Sequence, residues 1–182
     1  AISGLNLGGG KAVIIGDPTK DKSEALFRAF GRYVNSLNGR YITAEDVNTN
    51  VEDMEYIFTE TNNVTGVAEI HGGSGNPSPW TARGVFRGME ASANKVFGDK
   101  SLRGKVVALQ GAGSVGVHLG RLLNDAGAKI YFTDINETNI QRFKTAVPTA
   151  EFVSTEDIYD VKADIYAPCA LGATVNDKTI DR

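Results

Sequence analysis

The stretch Lys105-Val-Val-Ala-Leu-Gln-Gly-Ala-Gly-Ser-Val-Gly-Val-His-Leu-Gly120 constrains the fold more than any other. It reads as a short buried strand, a glycine-rich turn and the start of a helix. The three glycines serve different ends. Gly111 permits the tight turn, Gly113 lets main-chain N–H groups approach a phosphate, and Gly116 lets the helix lie close on the strand. Ser114 and Val115 sit between them, where their amides open the helix. A lone glycine pattern of this kind is weak evidence. Here the required context surrounds it, because a second apolar strand, Lys129-Ile-Tyr-Phe-Thr, follows and ends at Asp134, 21 residues beyond Gly113. A carboxylate at that position can accept hydrogen bonds from the ribose hydroxyls of a dinucleotide and repels a 2′-phosphate, which favours NAD over NADP. A tight turn followed by a solvated aspartate is the plainer alternative.

Downstream the pattern continues strand, helix, strand, with further strands expected near Glu151–Val153 and Asp164–Ala167. Strands alternating with helices imply a parallel sheet. Upstream, Ser78 and Pro79 open a helix that ends at Gly98, with Val85, Met89, Ser92 and Val96 on one side and Ser78 as its N-cap. The loop Gly72-Gly-Ser-Gly-Asn-Pro-Ser-Pro79 is dense in glycine and proline and marks a connection between two units. The expected organisation is therefore a first domain over residues 1–76 and a linking helix with a dinucleotide-binding domain over residues 77–182. Both are incomplete: the first opens abruptly in a glycine loop, and the second has four strands where such sheets usually have six.

The first part begins Gly4-Leu-Asn-Leu-Gly-Gly-Gly-Lys11, then an apolar strand expected at Ala12–Ile15. A glycine run costs conformational entropy, so it marks either a close approach of main chain to a ligand or a flexible terminus. Ser23 is a plausible cap for a helix with Leu26, Phe30, Tyr33, Val34 and Leu37 on its core face, stopped by Gly39. A short strand at Tyr41–Thr43 leads to Ala44-Glu45-Asp46, and Thr49 with Glu52 form a capping-box pattern for the next helix. Lys11 is otherwise an ordinary solvated lysine, and Asp46 a helix-cap or surface aspartate.

Charge and cysteine content exclude several classes of partner. With 182 residues, 41% of them hydrophobic, the chain can bury a real core, and a net charge of −3 with interspersed signs indicates neither nucleic acid nor an anionic membrane. Cys169 is the single cysteine, so no internal disulfide forms, and no apolar run reaches the length of a membrane helix. The first ten residues lack the charged start and long apolar core of a signal peptide, so a cytoplasmic setting is expected. His71 and His118 are isolated, with no metal-ligand spacing around them, and no metal site is expected. Cys169 has no histidine brought to it by spacing and reads as a small buried residue, not a nucleophile.

Taken together, five collinear segments resemble the Glu/Leu/Phe/Val amino-acid dehydrogenase family, and its leucine dehydrogenase branch in particular. They are Gly4 to Pro18, Leu37 to Val47, Gly75 to Pro79 with Thr81, Gly111 to Gly116, and Asp164 to Gly172, covering nearly the whole chain in order. The resemblance implies an α/β fold in two parts, an incomplete substrate domain followed by an incomplete Rossmann NAD-binding domain, within a parent about twice as long that works as a homo-oligomer. It implies reversible oxidative deamination of an amino acid with NAD. In that reading Lys11 matches the lysine that activates water against the substrate imine, and Asp46 the carboxylate that carries protons to and from the amine. Gly8 and Gly9 border the substrate, Thr81 holds the nicotinamide carboxamide, and Cys169 and Ala170 lie near the cofactor. Ala44 matches a pocket position where the phenylalanine-specific branch carries glycine. A methyl there favours a branched aliphatic substrate, leucine first, although one methyl is worth only ~1–3 kcal/mol of discrimination. A first lysine that grips the substrate carboxylate lies upstream of Gly4 in the family and is missing here, so these 182 residues alone are expected to be impaired. A phenylalanine or valine dehydrogenase of the same family, and a non-catalytic NAD-binding module, are the alternatives.

Overall fold

A computed structural model describes residues 4–182; the first three residues of the expected first domain lie outside the described part. The chain divides into two compact units, one ending at Pro77 and the other beginning at Ser78.

In the first unit, helix α1 (Glu24–Ser36) starts where Ser23 Oγ accepts the Leu26 N–H at 3.2 Å, and it stops where Asn38 and Gly39 turn left-handed. Helix α2 (Val51–Phe58) opens with a reciprocal pair in which Asn50 caps the Asp53 N–H and the Asp53 carboxylate accepts the Asn50 N–H. The capping box is therefore Asn50/Asp53, one residue beyond the expected Thr49/Glu52. Thr49 instead closes the turn before it, its hydroxyl exchanging hydrogen bonds with the Asp46 main chain. The core face of α1 is also rotated by about one residue. Phe27, Gly31 and Val34 are buried, whereas Tyr33 and Leu37 are exposed. The reason is close packing on α2: a Cβ on Gly31 would stand 2.9 Å from the Ile57 carbonyl oxygen, so the glycine, not an apolar side chain, faces the partner helix. Phe27, Met54, Ile57, Val64 and Val67 make this unit's core.

The expected strands of this unit do not form as such. Residues 11–15 are irregular, with Val13 and Ile15 exposed, and only an isolated parallel bridge joins Thr43 to Val64. A strand needs a neighbour to satisfy its N–H and C=O groups, and among the described residues of this unit none pairs with 11–15.

The second unit begins with helix α3 (Ser78–Phe97), followed by strand β1 (Val106–Gln110), helix α4 (Ser114–Asp125), β2 (Lys129–Thr133), α5 (Glu137–Ala146), β3 (Glu151–Phe152) and β4 (Ile165–Pro168). The four strands form one parallel sheet in the order β3-β2-β1-β4. Strand β1 is apolar from Val106 to Leu109, as a strand in the middle of a parallel sheet must be. Ser78 is the first residue of α3 itself. That helix packs on α4, and Ala82, Met89 and Ala93 on it are buried, while the expected Val85 and Val96 are exposed.

The core is built on Leu109, Leu119, Leu123, Phe132 and Phe143, all essentially inaccessible to solvent. Phe132 and Phe143 stack with centroids 4.2 Å apart. Each such side chain contributes about 1.5–3 kcal/mol on burial, so this cluster dominates the stability of the unit. No helix among the described residues is long and apolar enough to cross a membrane.

Candidate active site and cofactor cradle

In the first unit Lys11, Ala44 and Asp46 line one cavity of about 460 Å³, a size that suits a small ligand. The Lys11 ammonium and the Asp46 carboxylate form a direct ion pair. Both side chains are more than half exposed, at 64% and 57%, and an exposed pair adds little to stability. Its importance is therefore placement. Lys11 leaves an irregular segment, and Asp46 is held by its own turn: its N–H donates to Thr49 Oγ1 at 2.8 Å, and its Oδ1 accepts the Val47 N–H at 2.8 Å. Neither flanks a regular strand, contrary to expectation, yet they converge.

Of the preceding glycines, Gly10 has a packing reason: a Cβ there would press on the Tyr41 ring at 3.0 Å. Gly8 and Gly9 are exposed, with nothing within 4 Å of a Cβ, and they do not line this cavity.

One residue on the same cavity carried no signal in the sequence. Glu45 stands between Ala44 and Asp46, and its Oε2 is buried without a hydrogen-bond partner. Burial first, and then the charge of Asp53, push its carboxyl above the ordinary range. Asp53 is itself paired with Lys22 at 2.6 Å. The neighbouring aspartate stands out by resemblance, whereas burial of Glu45 depends on how the turn folds onto α2.

In the second unit the chain runs out from β1 through β2 to β3 and returns on the other side of β1 to β4. The carboxyl ends of β1 and β4 thus flank a switch point in strand order, the place where open α/β sheets bind ligands. The three glycines there differ in kind. Gly111 has φ +103°, and a Cβ would meet Ala170 N at 2.5 Å and the Cys169 carbonyl carbon at 2.6 Å. The turn after β1 and the turn after β4 are thus pressed together, helped by a 2.7 Å hydrogen bond from Cys169 N–H to the Gln110 carbonyl. A Cβ on Gly116 would run into the Gly111 carbonyl oxygen, which accounts for helix-to-strand closeness. A Cβ on Gly113 would meet nothing within 4 Å.

Gly113 is also the N-cap of α4 and supplies no capping side chain, so the helix presents its first amides, at Ser114, Val115 and Gly116, beside open space. That combination suits a pyrophosphate. Asp134, at the end of β2, accepts the Ala112 N–H at 2.7 Å and the Asn136 N–H at 2.8 Å, so its carboxylate is oriented by the turn it adjoins. Cys169 is half-buried, and burial pushes its thiol up, which keeps it protonated and unreactive. Thr81 lies in the first turn of α3. Among the described residues no three His, Cys, Asp or Glu side chains gather as a metal site would need.

The family model described as "Glu/Leu/Phe/Val dehydrogenase, dimerisation domain" matches residues 1–63. A leucine dehydrogenase of Thermoactinomyces intermedius is 61% identical over 182 residues, 100% of this chain and 50% of its own length. The chain belongs to the Glu/Leu/Phe/Val dehydrogenase family. A phenylalanine dehydrogenase of Lysinibacillus sphaericus, a second relative in this family of enzymes, is 46% identical over 186 residues, with 100% of this chain and 49% of its own covered. The solved structure of L-tryptophan dehydrogenase from Nostoc punctiforme superposes with a TM-score of 0.68 at 38% identity, covering 98% of this chain and 50% of that one. The chain spans about half the length of the curated relatives it matches.

Proposed function

We propose that this chain carries the proton-handling pair and the NAD cradle of an amino-acid dehydrogenase, one that converts a branched-chain L-amino acid, leucine first, to its 2-oxo acid and ammonia. The observation that carries the reading is the Lys11–Asp46 ion pair inside a cavity of about 460 Å³ that Ala44 also lines. An NAD-binding module without chemistry has no use for that pair.

Oxidising an amine at its α-carbon requires a hydride acceptor, a path for the amine's protons, and a water made nucleophilic. NAD, when bound, supplies the hydride acceptor. The second unit fits it: the amides of Ser114, Val115 and Gly116 would hold the pyrophosphate, Asp134 the ribose, and Thr81 the carboxamide, with Cys169 and Ala170 walling the turn. Asp46 takes a proton from the substrate ammonium at its carboxylate oxygen, leaving the nitrogen lone pair free. Lys11, its own proton released to the solvent its side chain meets, removes one from water at Nζ as the water attacks the imine carbon. A proton returned to the nitrogen then lets the C–N bond break, with ammonia leaving as the added hydroxyl loses its proton and closes to the carbonyl of the 2-oxo acid. The direct ion pair gives the two groups a route to exchange that proton. Lys11→Ala removes the base, and Asp46→Asn keeps the shape while removing the proton acceptor. Ala44 narrows the cavity against an aromatic ring, and Gly8 and Gly9 border the substrate's approach. We also take the first unit to be a self-association surface, as the family description suggests, in a cytoplasmic enzyme.

The test is NADH formation from leucine, valine and phenylalanine at alkaline pH, by this chain and by a version extended to the length of its relatives, each with Lys11→Ala and Asp46→Asn. Turnover of leucine by the extended protein, abolished in both variants, supports the reading. An extended protein that binds NAD and oxidises none of the three refutes it in favour of the binding module, and a preference for phenylalanine refutes the role of Ala44.

A further inference from the structure

Ala112, between the first two glycines of the turn, is completely buried, and both of its main-chain polar groups are held by side chains. Its N–H donates to Asp134 Oδ2 at 2.7 Å, and its carbonyl accepts from Arg142 Nη2 at 3.4 Å. The same Arg142 nitrogen donates to Asn139 Oδ1 at 3.2 Å, and Asn139 Nδ2 donates to both Asp134 oxygens at 3.4 Å. Asp134, Ala112, Arg142 and Asn139 thus form a closed ring. It joins the end of β2, the glycine turn and one face of α5, where residues 139 and 142 are neighbours three apart.

The ring decides the direction of the peptides that follow. Fixing the N–H and C=O of Ala112 leaves little freedom to the peptide planes on either side. The amides of Gly113 through Gly116 are then aimed before any ligand arrives, which spares the cost of ordering them at binding. The strengths within the ring are graded. The two bonds from Asp134 to main-chain amides are short and charge-assisted, while the contacts from Asn139 are long. A carboxylate has about four acceptor positions, and all four are in use here. A ribose diol approaching Asp134 would share the carboxylate oxygens with the long Asn139 contacts and leave the two short bonds in place, so the ring stays closed and the turn stays pinned while the sugar is bound. Arg142 continues to hold the Ala112 carbonyl.

We propose that Asn139 and Arg142 are positioning residues for the adenosine-diphosphate part of a dinucleotide, acting through Ala112 and Asp134 and not by touching the ligand. This rests on the NAD-binding reading above. Neither residue falls in the glycine pattern, and neither belongs to the buried core, so simple removal leaves that core intact.

The experiment uses the 182-residue chain, with calorimetric titration of NAD into the parent, Asn139→Ala, Arg142→Ala and the double variant, and amide hydrogen exchange measured by NMR on the ligand-free proteins. The expected result is a roughly tenfold rise in Kd for each single variant and no further rise in the double, since breaking the ring once releases it. Exchange at Ala112 N–H accelerates in both variants while the β1 amides stay protected, a local change that general destabilisation would not give. Unchanged affinity in both variants, or losses that add, overturns the proposal. If the parent itself binds no NAD, the cofactor reading fails, and the ring is then decided by exchange alone: faster exchange at Ala112 in both variants upholds it, and unaltered exchange overturns it.

Discussion

Replacing the three glycines of the turn by alanine, one at a time, separates folding from binding. At Gly113 the backbone has φ −68°, ordinary for an L residue, and the new methyl meets nothing within 4 Å. Alanine is a poorer N-cap than glycine by a few tenths of a kcal/mol to ~1, and stiffening the unfolded chain returns ~0.4–1 kcal/mol, so stability should change by less than about 0.5 kcal/mol. At Gly111 the backbone is at φ +103°, which costs an L residue ~1–2 kcal/mol, and the methyl would press on main-chain atoms of Cys169 and Ala170 at 2.5–2.7 Å. Main chain yields less easily than a side chain, so an overpacking cost of ~1–3 kcal/mol adds to the strain. At Gly116 the obstacle is the Gly111 carbonyl, again main chain, with an overpacking cost of the same order, ~1–3 kcal/mol. Against a total stability of ~5–15 kcal/mol, Gly111→Ala consumes a large share and Gly113→Ala almost none. Urea unfolding followed by circular dichroism gives the stabilities, and calorimetry gives the NAD affinity of each folded variant. The expected pattern is a Gly113→Ala protein as stable as the parent that binds NAD at least tenfold more weakly, because the methyl fills the space the phosphates need. Parent-like affinity in Gly113→Ala would show that the phosphates do not sit there, and parent-like stability in Gly116→Ala would refute the packing argument.

The remaining expectations concern ionisation and packing. His118 is held below its ordinary value first by burial and then by the charges of Arg121 and Arg142. Its depressed folded pKa makes a contribution to stability that is complete above the unfolded value of about 6.5 and lost as pH falls through the folded one, so the melting midpoint should drop on acidification below 6.5, and His118→Gln should flatten that drop. Glu45 behaves oppositely, since its raised pKa gives a contribution that is complete below about 4.3 and lost as pH rises through the folded value. Glu45→Gln should therefore unfold with less dependence on pH just above that point, and an unchanged profile would mean the carboxyl is not buried in solution. Phe143→Ala removes a fully buried ring stacked on Phe132 and should cost about 3–5 kcal/mol by urea unfolding, whereas a cost below 1 kcal/mol would contradict a close-packed core.

Much of the second unit is legible in its residues. The alternation of apolar strands with helices announces four parallel strands, and the observed ranges fall within a residue or so of those expected. Parallel strands buried on both faces must be continuously apolar, which makes them stand out. The first unit is less legible. Ala12–Ile15 has the composition of a strand, but composition supplies no partner, and Val13 and Ile15 remain exposed. The faces of α1 and α3 differ from expectation in the same way: apolar spacing selects Tyr33, Leu37, Val85 and Val96, whereas Gly31, Ala82 and Ala93 are among the residues buried. Small residues have no hydropathy signal, yet Gly31 is what the close packing of α1 on α2 requires.

At the site the division is similar. The turn of Gly111, Gly113 and Gly116 and the place of Asp134 after β2 are legible because the strand, turn and helix that hold them are contiguous in sequence. The convergence of Lys11 with Asp46, the burial of Glu45 and the ring through Asn139 and Arg142 belong to the tertiary structure. These contacts join residues that local spacing does not relate, and whether a carboxylate is paired, buried or open to a ligand depends on which segments the fold brings beside it.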